Sequence, residues 1–496
     1  MKKNIFTRSI ALALSAIMVL GLSSCGKKPA DKTDSEDSKT VDNSKYVRQL
    51  DGFVPEMLSP DFWIDDSEKE ILMTPEEIKK FNEDNDKMIG IPGYDSGFAL
   101  NEFSDPLDGN IVRNVLCDTG VPQDLSREFL GDKNTPEKYW LDLIAAQNIE
   151  GIPDSITLRY GFSAERADMR YLPTNDYIAG GDPNDLIYDE MVMTDYLPYK
   201  PLVIVHESLD GKWFYAFQYG CGGWIEKENV ALCHTREEWL ERQNIDEFLV
   251  VTGREIRLSD DPHCPALARK LIPMGSKLPL VPADEAPEII NQRSTYGNYI
   301  VKLPTVGEDG YIVDEYALIP LCEDVHIGYL DYTSEAAVTL ALKLYGDRYG
   351  WAGLNFSSDC SGIVNEIFSC FGIILPRTAG TQGSVSGIKR WEFDEECTNE
   401  EKLEIIKDLP SGSLVNFSGH IMIYLGMVDG KPYTISATGS IGDGNGGKQS
   451  VNSVIINNLI DVVRKNGKSW LESASKVSTL TPGEVVQVKH NEKAAA

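Results

Sequence analysis

A cysteine set among small polar residues, Ser357-Ser358-Asp359-Cys360-Ser361-Gly362, is the stretch best equipped for covalent chemistry. Ile363, Val364, Ile367 and Phe368 follow at the spacing of one helix face, and Gly372 supplies a stop. Cys360 is therefore expected at or just inside a helix N-terminus. Free backbone N–H groups and the positive end of the helix dipole favour a thiolate there. The competing use of such a residue is as a small buried hydrophobe. A cysteine nucleophile needs a base for its proton, usually histidine. Of the 6 histidines, His206 falls on a strand, His234, His263 and His326 lie in or near loops outside this region, and His490 is in a polar tail. His420 alone shares a folded region with Cys360. It begins a strand in which Ile421, Ile423 and Leu425 face one way and His420, Met422 and Tyr424 the other. Preceded by Gly419, it can reach across to a helix start. No C-x-x-C pair occurs, and the adjacent pairs Cys233-His234 and His263-Cys264 lack zinc spacing, so neither metal nor cofactor is expected.

The rest of the chain must position this pair. The 496 residues suffice for several domains, and a formal net charge of −30 argues against nucleic acid or an anionic membrane face as a direct partner. It suits a well-solvated protein and a basic ligand. Residues 1–24 read as an export signal, with Lys2, Lys3 and Arg8 ahead of the apolar run Ser9–Leu22. Leu22-Ser23-Ser24-Cys25 resembles the bacterial lipobox, which implies lipidation of Cys25 and anchoring to the cell envelope. Residues 25–45 are polar and read as a disordered tether. In 46–154 the Thr74-Pro75-Glu76-Glu77 sequence predicts a helix start and Trp140 to Ile144 a second helix, among loops. Over 155–235, Leu202–Glu207, the Asp210-Gly211 turn, Lys212–Phe217 and Gly222–Ile225 have the cadence of a small barrel of the Src-homology-3 (SH3) type. A second such barrel is expected over 236–330, from Phe248–Thr252, Leu271–Leu278, Tyr299–Leu303 and Gly310–Val313. Residues 331–486 place helices first and a sheet later, an α+β pattern.

Family resemblance enters through an ordered set of short motifs. Tyr349-Gly350-Trp351, Asp359-Cys360-Ser361-Gly362, Leu375-Pro376-Arg377, Gly412-Ser413-Leu414, and Gly419-His420-Ile421 with Tyr424-Leu425-Gly426 resemble the NlpC/p60 cysteine peptidases, papain-like cell-wall hydrolases. Upstream, Arg166-Ala167-Asp168-Met169-Arg170 with Pro173-Thr174, then His206-Glu207-Ser208 and Gly223-Trp224-Ile225, is similar to a multidomain subgroup. That subgroup has an N-terminal clip-like domain, two SH3-like barrels and a C-terminal NlpC domain. Ser59-Pro60-Asp61-Phe62-Trp63 fits the clip domain. The resemblance implies a multidomain α+β protein that hydrolyses the amide between γ-D-glutamate and the diamino acid of peptidoglycan stem peptides. Cys360 would be the nucleophile and His420 the base, while Asp359, Ser361 and Tyr349 would hold the substrate's free amine. Cell-wall fragments are the implied partner, with membrane contact only through the lipid anchor. One departure stands out. Relatives commonly place a histidine on the strand after His420 to orient it, whereas here Ser436 stands at that position, with Thr438 facing the same way as a rival. A catalytically weak, wall-binding protein is the alternative reading.

Overall fold

Capping residues set where most of the described helices begin. The computed structural model describes residues 47–87 and 99–490; the signal 1–24, Cys25 and the tether 25–45 lie outside the described residues. Helix α1 (Pro75–Asp84) starts at Thr74, whose hydroxyl accepts from the Glu77 amide while the Glu77 carboxylate accepts from the Thr74 amide. Helix α2 (Gly109–Cys117) is capped by Asp108 and is not anticipated from the sequence. Helix α3 (Glu137–Ala146) forms where Trp140 to Ile144 predicts it. These segments serve different cores. Met57, Trp63, Met73, Ile78 and Phe81 pack with the C-terminal region, whereas Ile111, Val112 and Leu116 of α2 pack with residues 156–239.

A seven-stranded antiparallel sheet follows. Its strands are β1 (Arg159–Ser163), β2 (Ala167–Arg170), β3 (Val192–Tyr196), β4 (Pro201–Glu207), β5 (Trp213–Gln218), β6 (Cys221–Glu226) and β7 (Val230–Leu232). They lie in the order β7-β1-β4-β5-β6-β2-β3. The outer strands β7 and β3 do not pair, and no closed barrel is found among the described residues, so the barrel expected over 155–235 is not confirmed. Both faces of β4 and β5 are buried, as when one face lines a sheet's own core and the other is covered by neighbouring elements. Leu202, Ile204, Phe214 and Ala216 pack with Tyr196 and Ile225 on one side. Val203, Val205, Tyr215 and Phe217 pack on the other, beneath α2 and Trp239 of helix α4 (Arg236–Gln243).

The second barrel, expected over 236–330, is likewise not confirmed. Phe248–Val251 pairs with Lys277–Pro279 and Val325–Ile327, Glu255–Arg257 pairs with Leu271–Pro273, and Asn298–Val306 forms a long hairpin with Ile312–Pro320. These separate pieces enclose one core around Leu249, Val251, Ile272, Leu278, Val301, Leu303 and Ile319.

The C-terminal region is the α+β unit that its sequence predicts. Helices α5 (Ser334–Lys343) and α6 (Cys360–Ser369) precede a second seven-stranded sheet. Its strands are β8 (Ile388–Phe393), β9 (Leu414–Phe417), β10 (His420–Val428), β11 (Lys431–Gly442), β12 (Lys448–Asn458), β13 (Lys476–Pro482) and β14 (Val485–Val488), ordered β12-β11-β10-β9-β13-β8-β14. Asp429-Gly430, both at positive φ, turns β10 into β11. Ile421, Ile423, Leu425 and Ile435 face Ile363, Val364, Ile367 and Phe368 of α6. Full burial stabilises each of those four helix side chains by about 1.5–3 kcal/mol in transfer terms. This packing presses the start of α6 toward the start of β10.

Candidate active site

Asp359 caps α6, its Oδ1 accepting the Gly362 amide at 2.8 Å and the Ser361 hydroxyl at 3.0 Å. Oδ2 accepts the Ala352 amide at 3.1 Å. That amide is offered by an irregular turn, Trp351–Phe356, in which Ala352, Gly353, Asn355 and Phe356 all take positive φ. A Cβ on Gly353 would lie within 2.5 Å of Asp195 side-chain atoms, so the turn is pressed directly against β3. Asp359 is 7% exposed, and a carboxylate buried that far needs a counter-charge. Arg377 supplies it in bidentate form, Nη1 to Oδ1 at 3.0 Å and Nη2 to Oδ2 at 2.8 Å. Nη1 also donates to the Ser361 hydroxyl at 2.8 Å, and Nε donates to Thr194 of β3. These contacts hold the Asp359 carboxyl below its usual range against the opposing effect of burial.

Cys360 opens the helix as expected but does not become a ready thiolate. It is 8% exposed, and burial, followed by the neighbouring Asp359 charge, pushes its thiol up to about 12. Backbone amides of Ile421 and Ser361 and the Arg377 charge pull the other way without prevailing. Desolvation outweighs the helix dipole at this site.

His420 stands at the start of β10, next to Ile421, which shares a core with Cys360. Its ring lies 5.2 Å from each of Phe417 and Trp470. Enclosure holds the imidazole down to about 4; nearby Asp359 raises it and Arg464 lowers it. His420 Nε2 is 3.1 Å from Ser436 Oγ, which is 3.0 Å from Thr438 Oγ1. The two rivals for the orienting position thus act in series, Ser436 on the imidazole and Thr438 on Ser436. With Thr438 donating to the Ser436 carbonyl at 3.4 Å, Ser436 donates to Thr438 and accepts from Nε2–H. That pattern leaves Nδ1 unprotonated and able to act as a base. No hydrogen bond joins the Cys360 and His420 side chains in this state. The resting pair is neutral thiol and neutral imidazole, and such catalytic bonds commonly tighten only when substrate binds.

Of the three residues expected to hold a substrate amine, Asp359 and Ser361 face inward and are bonded by Arg377. An incoming ammonium would share their oxygens with that guanidinium. Tyr349 borders the site differently. Burial, then Asp359, Tyr188 and Cys360, hold its phenol well above the usual range. Its ring centroid is 6.2 Å from that of Tyr188, which lies 5.4 Å from the exposed Trp351. Tyr188 precedes β3 and reaches over the sheet rim, where a Cβ on Gly439 would come within 2.3 Å of its hydroxyl.

The sequence carries no sign of Tyr188, Phe417 or Trp470 at the site, and it marks Arg377 only as part of the Leu375-Pro376-Arg377 motif, without a role. Among the described residues no group of three or more His, Cys, Asp or Glu side chains is placed to hold a metal ion.

Residues 346–478 match the NlpC/P60 family and form an NlpC/P60 domain. The chain is similar in structure to an NlpC/P60 endopeptidase from Photobacterium damselae subsp. piscicida, at 18% identity and a TM-score of 0.67, covering 86% of this chain and 97% of that one. The fold is therefore shared over most of both chains. An NlpC/P60 family protein from Bacillus cereus ATCC 10987 aligns at 18% identity and a TM-score of 0.43, covering 65% of this chain and all of the other. No curated protein matches the chain.

Proposed function

We propose that this chain is a cell-envelope lipoprotein, anchored through Cys25, that hydrolyses γ-D-glutamyl–diamino acid amides in peptidoglycan stem peptides. NlpC/P60 proteins are generally peptidoglycan endopeptidases. The observation that carries the reading is the contact of the Cys360 thiol, at the start of α6, with the backbone amide of Ile421 on β10, the residue that follows a histidine held by Ser436. Cys360 Sγ attacks the amide carbonyl carbon as His420 takes the thiol proton. The backbone N–H of Cys360, with no acceptor in the helix or among the described contacts, stabilises the oxyanion at the positive helix end. His420 then returns its proton to the departing amine, leaving a thioester. Water, deprotonated by His420, cleaves the thioester, releases the glutamyl carboxylate and restores the thiol. Tyr188, Tyr349 and Trp351 narrow the approach, which favours short free peptides over intact wall.

The test is incubation of purified protein with L-Ala-γ-D-Glu-diamino acid peptides, beside a Cys360→Ala control. Wild-type cleavage that the variant lacks is expected. No cleavage with any diamino acid refutes the reading, and retained wall binding would then leave a binding protein. Partition into the detergent phase, abolished by Cys25→Ala, tests the anchor.

A further inference from the structure

A cavity of about 370 Å³ opens away from Cys360, where the first sheet, residues 242–329 and the far end of α6 meet. Its charge runs against that of the chain. The sequence totals −30, yet the walls carry Lys200, Arg242, Lys277 and Lys302 against a single carboxylate, Asp314. That carboxylate is already taken by Arg242 at 2.9 Å. Among the described residues the three lysines make no ion pair. The Lys277 ammonium lies 4.2 Å from the Phe248 ring centroid, and that of Lys302 lies 5.1 Å from Tyr316. Among the described residues the Lys200 ammonium has no hydrogen-bond partner. Burial, then the charge of Lys200, lowers the Lys277 pKa, and burial lowers that of Lys200. Elsewhere Lys80, Lys138, Lys343 and Lys431 each find a carboxylate within 2.7 Å. The half-buried Lys200 and Lys277 repel one another across the cavity wall, with only Asp246 opposing at Lys277, and an anion between them would relieve that repulsion. Phe162 and Tyr329 line the same cavity and offer apolar surface.

We propose that this cavity binds a small organic anion, an apolar or aromatic body carrying a carboxylate or phosphate, with Lys200 and Lys277 at its charged end. The site is independent of the reaction proposed for Cys360. Because its walls come from three parts of the chain, occupancy favours their assembly.

Calorimetric titration of the full chain at fixed ionic strength tests this with 3-phenylpropionate and phenyl phosphate, and with uncharged 3-phenylpropan-1-ol as control. At least one anion is expected to bind at a single site and the alcohol not to bind; the stronger anion identifies carboxylate or phosphate as the native group. Lys200→Met and Lys277→Met should each weaken binding about tenfold or more while melting no lower than wild type, and Cys360→Ala should bind as wild type. Silence from both anions, equal binding by the alcohol, undiminished binding by the lysine variants, or loss of binding in Cys360→Ala would each overturn the proposal.

Discussion

Arg377→Met isolates the arrangement on which the α6 start depends. The substitution keeps much of the side-chain volume and removes both ion-pair contacts to Asp359, together with the bonds to Ser361 and Thr194. Asp359 would retain three donors, the Gly362 and Ala352 amides and the Ser361 hydroxyl, but no counter-charge within the cap. Breaking a buried pair from one side costs about 3–5 kcal/mol. Urea unfolding at pH 7 should show a loss of that size. A second readout follows from Cys360, whose thiol Asp359 raises and Arg377 lowers. Each unit of further rise cuts the thiolate fraction about tenfold, partly offset by greater intrinsic nucleophilicity, for a net slowing of iodoacetamide alkylation of about threefold. The double variant Arg377→Met/Asp359→Asn removes both charges. It should recover about 2–3 kcal/mol relative to the sum of the single changes. A loss below about 1 kcal/mol for Arg377→Met, or strict additivity in the double variant, would refute the account.

Further outcomes follow from the same geometry. Because enclosure holds His420 near 4, the acid limb of kcat/KM should fall well below pH 6; a limb at pH 6–7 would show an ordinary imidazole. Its stability sign is also fixed, since a histidine kept neutral in the fold withdraws up to about 3 kcal/mol as the pH falls from about 6.5 to 4. Ser436→Ala should lower kcat about tenfold with little change in KM, and Thr438→Val less, because Thr438 acts through Ser436; unchanged kcat in Ser436→Ala would remove Ser436 from the mechanism. Buried Glu366 of α6 titrates near 7, so the fold binds a proton there that the unfolded chain has lost, and stability falls as pH rises from about 4.5 to 7. Glu366→Gln should therefore flatten the pH 5 to pH 8 difference in unfolding free energy by up to about 3 kcal/mol, and an undiminished difference would contradict this. Tyr188→Ala should raise kcat/KM for longer or cross-linked peptides relative to short ones, whereas unchanged selectivity would show that Tyr188 does not narrow the approach.

What the sequence disclosed was what short-range chemistry controls. The helix start at Thr74-Pro75 and the placing of Cys360 at the start of α6 depend on residues within four positions of one another, and each is found as read. The runs Leu202–Val205 and Phe214–Phe217 form strands as read, but their two faces pack against different partners, which a strand pattern does not reveal. The polarity of the Cys360 environment was misjudged for a similar reason. The helix dipole is local, but the burial that outweighs it comes from β10 and from Asp359 locked in place by Arg377. Tyr188 and Trp470 lie far from Cys360 and His420 along the chain, and only the folded arrangement makes them neighbours.

The irregular turn ahead of Cys360 also has an inheritance. Asp195 of β3 fills the space beside Gly353 and binds Arg166 at 2.7 Å, and Arg166 in turn donates to the Ser357 carbonyl at 2.7 Å. The shape of the loop ahead of Cys360 is therefore stored in a stretch of chain more than a hundred residues away. A fragment beginning near residue 331 would keep Cys360, His420 and Ser436 yet lose the mould that sets the loop, and Arg377 would lose Thr194. Grafting this C-terminal part onto another partner would transmit the reacting groups without their alignment, unless the new partner recreated the lost Thr194 and Asp195 contacts. The two stretches must consequently change together, and a substitution at Asp195 should be compensated at Gly353 or Arg166 rather than at the cysteine.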